Sequence, residues 1–236
     1  MTDTTPSAEP TPADAAAPGA APATGTAPAP SGKAAAAAAP RIHPYLDQLA
    51  GFYPHLFGQE FRPLKRGVFE ELLAAHAGVF EKEGLKEALS QHTRSTRYLT
   101  GVASGQQRHG LDGKPVEAMA PEHVHHALLE VFRRRQRRTK DDLRPQLRER
   151  IVRAFEASGL ERGDYAMLVR GRDEAANTLL DEALEEAARR SAKDEALRRA
   201  FEASGKTIEE FADMYGMKPE EARRTLGRGR KAVSAG

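Results

Sequence analysis

Three blocks decide how this chain is read: FRPLKRGVFEELLA (Phe61–Ala74), LKEALSQHTRSTRYLTGV (Leu85–Val102) and RHGLDGKP (Arg108–Pro115). Nine cations fall between Arg62 and Lys114: Arg62, Lys65, Arg66, Lys82, Lys86, Arg94, Arg97, Arg108 and Lys114. Apolar residues fall between these cations at helical spacing, so the stretch can close a core and still present positive charge. A folded surface of that kind seats a polyanion when its cations converge on one face.

The flanking elements follow from local chemistry. Leu46, Leu49 and Phe52 predict a short amphipathic helix that Pro54 ends or redirects, leaving His55, Leu56 and Phe57 to pack in a loop. Pro63 is expected near the start of the next helix, with Leu64, Val68, Phe69, Leu72 and Leu73 as its apolar stripe and Gly78 as its stop. Lys65 is offset from that stripe and should face solvent or a ligand. A third helix is expected over 83–91, with Lys82 and Lys86 on one face. The hydroxyls and cations of 93–99 are the donors that meet phosphate oxygens. Asp112-Gly113 predicts a hairpin between strands at 106–111 and 114–116, with Leu111 and Val116 packing on the helices and Arg108 beside the Arg97–Tyr98 region. Pro121 starts another helix, buried through Val124, Leu128, Val131 and Phe132, whose far end carries the arginine run at 133–138.

The remainder differs in kind. Residues 1–40 hold 16 Ala and 8 Pro and no Leu, Ile, Val, Phe, Tyr or Trp, too little apolar area to offset ordering entropy; a disordered tail is expected over 1–43, as a solvated spacer or a partner-binding arm. The string RAFEASG at 153–159 returns at 199–205, and the extended copies, 46 residues apart, share 11 of 28 positions, enough to predict a duplicated helical unit. In the second copy Ala212, Gly216 and Ala222 also have helix-turn-helix spacing, with Arg223, Arg224, Arg228, Arg230 and Lys231 able to meet phosphates. That spacing is equally common in structural helix pairs.

Several function classes are set aside. Without cysteine there is no thiol catalysis and no disulfide. The chain has no GxxxxGK[ST] loop, HExxH or GxSxG motif, and no signal peptide or membrane-spanning run is expected. His123 and His126 share a helix face, but no third ligand is fixed by spacing, so neither metal nor cofactor is expected. Net charge of +2 is uninformative; the arrangement of charge matters more.

Over about 42–135 the blocks RPLKRGVFEELL, LKEAL, TRSTRYLTGV, RHGLDGKP and PEHVHHA (121–127), in this order, resemble the FinO/ProQ domain, a bacterial RNA-chaperone fold. The resemblance implies a mostly helical fold with a small hairpin and a concave basic surface that grips the base of a terminator hairpin and its single-stranded 3′ tail. It implies RNA-binding roles for Lys65, Lys82, Lys86, Arg97, Tyr98 and Arg108, with Arg94 as an added cation. Lys86 stands where an arginine is usual, which keeps charge but loses the planar fork. Thr96 replaces a bulky Trp and His92 a Tyr.

The expected architecture is therefore mainly α with a small β-hairpin: a disordered tail (1–43), a FinO/ProQ-like RNA-binding domain with a basic terminal helix (44–142), and an all-α region with an approximate 46-residue duplication (143–236). The expected function is that of a cytoplasmic, non-enzymatic RNA chaperone and post-transcriptional regulator, binding structured small RNAs and mRNA 3′ ends. DNA is the less favoured partner. A helix-turn-helix-like DNA regulator centred on 194–231 and a helical protein-interaction scaffold stay open as alternatives. Arg97 and Arg108 are expected to be removable without loss of the fold.

Overall fold

The computed structural model describes residues 43–233, with side chains described through residue 227. The expected tail, His43 apart, lies outside the described residues, as do the side chains of Arg228, Arg230 and Lys231.

Helix α1 (Pro44–Phe52) begins where the His43 Nδ1 accepts the Tyr45 N–H and Pro44 takes the first turn. Pro54 then restarts the chain as a single turn, α2 (Pro54–Phe57), rather than the expected loop, and buries Leu56 and Phe57. Helix α3 (Val68–Ala75) starts later than predicted. The backbone around Pro63 is extended instead: His109 N donates to Pro63 O at 2.7 Å and Lys65 N donates to His109 O at 2.9 Å. A residue preceding proline disfavours the helical region, and Gly67 sits at φ 79°, so the helix waits until both are past.

Helix α4 (Lys82–Thr93) buries Leu85 and Leu89, and α5 (Thr96–Ala103) is capped by Ser95, whose Oγ accepts the Tyr98 N–H. Strands β1 (Arg108–His109) and β2 (Pro115–Glu117) pair antiparallel but are shorter than predicted. Their turn needs Gly113 twice over: its φ is 75°, and a Cβ there would lie 2.5 Å from the His55 ring. Leu111 packs on the core as expected, whereas Val116 is 54% exposed, because the hairpin's outer face has no helix over it.

Helix α6 (Pro121–Gln136) leads into α7 (Arg144–Ser158), α8 (Arg162–Val169), the long α9 (Glu174–Ser204), α10 (Ile208–Met214) and α11 (Pro219–Val233). The described residues form one compact unit, and one core runs from Leu49, Leu72 and Leu128 through Ile151 and Tyr165 to Leu184. Packing is thus continuous across residues 142 and 143. Each fully buried Leu or Ile in it stabilises by roughly 1.5–3 kcal/mol.

The two RAFEASG copies adopt the same structure. Phe155 meets Tyr165 edge-on at 5.3 Å, and 46 residues on Phe201 meets Phe211 edge-on at 5.2 Å. The Ser158 hydroxyl donates to Phe155 O at 2.6 Å and Ser204 to Phe201 O at 2.7 Å. Gly159 and Gly205, at φ 66° and 62°, then end α7 and α9. The second copy is polar where the first is apolar: buried Leu147 and half-buried Leu160 correspond to Lys193 and Lys206.

Candidate nucleic-acid interface

The centre of the site is the extended Pro63–Lys65 segment, held from both sides. From α5, the Tyr98 hydroxyl accepts the Leu64 N–H at 3.1 Å. From β1, Arg108 Nη1 donates to Leu64 O at 3.0 Å. The structure therefore brings Lys65, Tyr98 and Arg108 together around one backbone bridge.

These three side chains are not equally available. Tyr98 is 7% exposed, its ring packed edge-on against His92 at 5.3 Å. Burial pushes its hydroxyl pKa up, partly offset by the Leu64 N–H and the Arg108 charge. The flat face expected to meet an unpaired base is thus covered, because the hydroxyl is committed to the backbone and the ring to the core. Arg108 is 14% exposed on its side chain and also pairs with Glu117 at 3.3 Å. Lys65 pairs with Glu71.

Arg97 is the open cation. It is exposed, makes no ion pair among the described residues, and lies with its guanidinium carbon 4.3 Å from the centre of the Phe61 ring. It also donates to Gln59 O. Phe61 packs in turn on His92, ring centres 4.4 Å apart, with Phe57 on His92 at 4.6 Å. Burial, then the Arg97 charge, lower the His92 pKa to about 4, so the imidazole beneath Arg97 is neutral near pH 7. Phe61 and Gln59 as the props of Arg97 were missed in the sequence; the only signal was an aromatic directly before RPLK.

Arg94 is exposed at the end of α4. Its carbonyl accepts from Arg134 Nη1 at 2.7 Å, and the same guanidinium donates to Thr96 Oγ1 at 3.2 Å. Thr96 thereby becomes part of a tether between α6 and the start of α5. The arginine run is divided in the same way. Arg133 pairs with Asp173 at 2.6 Å and Arg134 with Glu130 at 2.9 Å, while Arg135, Arg137 and Arg138 are exposed. Lys82 and Lys86 are exposed on α4 without an ion pair among the described residues. No contact links them to the Leu64 bridge; Lys82 lies roughly 18 Å along the helix axis from Arg94.

The decoys resolve simply. His125 turns inward against Tyr165, ring centres 6.2 Å apart, whereas His123 and His126 are exposed. Among the described residues no three His, Cys, Asp or Glu side chains are grouped to hold a metal ion. No helix among them is long and apolar enough to cross a membrane. In the helix-turn-helix-like pair, Ala212 and Ala222 are buried, Arg223 pairs with Glu209 and Arg224 is exposed.

Taken together, the mainly helical fold, the short hairpin and the cations around an extended segment define a small domain suited to binding a polyanion. Residues 40–144 match the family model described as ProQ/FINO family. Over that range the chain is similar to the ProQ/FINO family. It is similar to a protein named RNA chaperone ProQ from Aeromonas hydrophila, 41% identical over 109 residues, which cover 42% of this chain and 51% of that protein. A protein of the same name from Aeromonas salmonicida is 48% identical over 71 residues, 29% of this chain and 33% of that one. The chain thus spans at most about half the length of these curated relatives. A solved FinO-like RNA chaperone from Neisseria meningitidis aligns at 28% identity over 35% of this chain and 85% of its own, with a TM-score of 0.33.

Proposed function

We propose that this protein is an RNA chaperone that binds structured RNA through residues 44–142. The reading favours small RNAs and mRNA 3′ ends, held at a terminator hairpin and its single-stranded tail in the cytoplasm, and it involves no catalysis. The observation that carries it is Arg97: an exposed guanidinium without a carboxylate partner among the described residues, braced on Phe61, within a domain whose relatives are named RNA chaperones. A guanidinium held this way is ordered before the phosphate arrives, so less entropy is lost on contact.

The geometry suggests a division of labour. Arg97, Arg94, Lys82 and Lys86, all exposed, would meet phosphates directly. Lys65 and Arg108 would exchange or share their carboxylates on binding. Tyr98 acts as a positioning residue that holds the Leu64 segment in register. A-form RNA hides its base edges in a deep groove, so recognition by such a set follows backbone shape and a free 3′ end rather than internal sequence.

A competition experiment on the full chain tests this. One terminator hairpin is presented with its tail intact, trimmed or blocked by a 3′ phosphate, beside a hairpin with swapped stem pairs. Stem swapping should be tolerated and trimming should weaken binding strongly. Equal affinity for trimmed and intact RNA would sink the proposed mode of recognition. The repeat favours structural packing for the helix-turn-helix-like pair, since Ala166 and Ala176 occupy the same two positions one copy earlier.

A further inference from the structure

We infer that the groove between α5, α6, α7 and the segment after β2 takes an unpaired nucleotide of bound RNA, with Arg150 as its phosphate contact. This site lies at the seam between the family-matched residues and the helical region beyond them, and it rests on the RNA-binding reading above.

The groove has a volume of about 560 Å³. Ala103, Met119, Val124, Ala154 and Ala157 give it an apolar wall. Arg150 and Arg153 are its charged residues, and no carboxylate lines it. Arg153 is already paired with Glu149 at 3.1 Å. Arg150 is not: it is half-buried, and its contact is a long 3.5 Å approach to the Ala103 carbonyl. Burial first, then the charges of Arg135 and Arg153, disfavour its cationic form.

That arrangement stands apart from its surroundings. Other half-buried arginines, Arg133, Arg134, Arg148 and Arg190, each face a carboxylate. A partly desolvated guanidinium beside two others, with a cavity next to it, is a cation whose counter-charge must come from outside. A phosphate supplies it and takes the guanidinium fork directly. The apolar wall then suits the flat body attached to that phosphate, a base and its ribose, and the volume lies within the usual range for such ligands.

Position selects RNA over a free anion. Gln107, which also lines the groove, immediately precedes Arg108 in β1, and Ala118, another lining residue, follows Glu117 of β2. The groove therefore opens at the foot of the hairpin that carries Arg108. A strand leaving the Leu64 bridge past Gln107 would meet this slot, whose far wall on α7 carries Arg150.

The test uses the full chain and a hairpin RNA whose single-stranded tail carries 4-thiouridine at one position per molecule. Irradiation should crosslink at least one tail position to Met119 or to the 150–158 peptide. Arg150→Gln should weaken binding of the tailed RNA by about threefold to tenfold. It should also flatten the salt dependence by roughly 0.7. Binding of the tail-less hairpin should not change. Ala157→Phe fills the groove while keeping every arginine, and should weaken tailed RNA alike; thermal melts of both variants accompany the measurement, and Ala157→Phe decides if Arg150→Gln does not fold. Wild-type affinity in both variants, with crosslinks confined to the Arg97 side, overturns the groove assignment and leaves the RNA-binding reading standing. Failure of the wild-type protein to bind either RNA removes both.

Discussion

Tyr98 and Arg108 hold opposite ends of the same residue: the Tyr98 hydroxyl accepts the Leu64 N–H at 3.1 Å while Arg108 Nη1 donates to the Leu64 carbonyl at 3.0 Å. Neither hydrogen bond belongs to a sheet or a helix. Together with the two bonds to His109 they fix an extended segment that local sequence alone would begin to coil. The site's shape therefore depends on residues that also look like ligand contacts.

Stability and binding should separate between these positions. Tyr98→Phe leaves the Leu64 N–H without its acceptor and is expected to cost about 1–3 kcal/mol. Arg108→Ala strips a donor from Leu64 O and the partner from Glu117, so it should lower the melting temperature as well as RNA affinity. This differs from the expectation that Arg108 can be removed without cost to the fold, because the side chain is only 14% exposed. Chemical denaturation of the two variants beside wild type checks the prediction, and unchanged midpoints would refute it.

Arg97→Ala is the clean probe of RNA contact. Its side chain is exposed and carries no ion pair among the described residues, so the melting temperature should hold while the salt slope of RNA binding flattens by roughly 0.7–0.9. Phe61→Leu keeps apolar volume but removes the ring under the guanidinium, a contact worth about 0.5–1 kcal/mol at an exposed site. It should therefore weaken RNA two- to fivefold, roughly, without altering the slope. Titrations at several salt concentrations distinguish the two; a slope lost in Phe61→Leu as well would mean the ring does more than orient the charge.

Two histidines make the fold sensitive to acid. Burial lowers the pKa of His92 and of His125 to about 4, the neighbouring Arg97 and His126 adding to the effect. The unfolded chain binds these protons near pH 6.5, the folded chain only near 4. Stability present above pH 6.5 should thus fall as pH drops through this window and level off below it, by at most about 3 kcal/mol per histidine. His92→Phe, set among Phe57, Phe61 and Tyr98, should remove about half of that pH dependence. Urea unfolding at three pH values is sufficient, and a variant with the wild-type slope would contradict the assignment.

The family-matched part should not be fully stable alone. His125 packs on Tyr165, and Leu147, Ile151 and Val152 belong to the same core as Leu128. A chain ending at Asp142 is expected to melt at lower temperature and to bind an apolar dye that the full chain does not. Within the full chain, Ala212→Leu overpacks a site with no exposure and should cost about 1–3 kcal/mol. Ala166→Leu, at the matching half-buried position of the first copy, should cost less. Equal melting of the truncated and full chains would show that the continuous core contributes nothing across the seam.

Much of this molecule was legible because its signals are local. The Leu46–Leu49 spacing, the Asp112-Gly113 turn and the paired RAFEASG strings each act within a few residues, and the elements they predict are present. The ordered blocks from Arg62 to Ala127 carried the family resemblance that the match over 40–144 bears out. The cations were legible as a set for the same reason: a lysine or arginine among helix-spaced apolar residues has to come to the surface somewhere.

Which cation is free was decided by the tertiary structure. Leu64 and Arg108 are 44 residues apart, and only the folded hairpin brings the guanidinium to that carbonyl, converting an expected helix start into an extended segment. Tyr98 faces the core because its hydroxyl finds the Leu64 N–H there. Arg97, one residue earlier, points away, since successive residues on a helix lie about 100° apart. Arg134 is tethered by Arg94 and Thr96, and Arg150 is left without a carboxylate among the described residues, by contacts between elements distant in the chain. Residue type and spacing determined that this protein would be helical, hairpin-bearing and cationic; charge pairing and backbone satisfaction depend on which atoms the fold brings within 3 or so Å, roughly one hydrogen-bond length, and that is a property of packing alone.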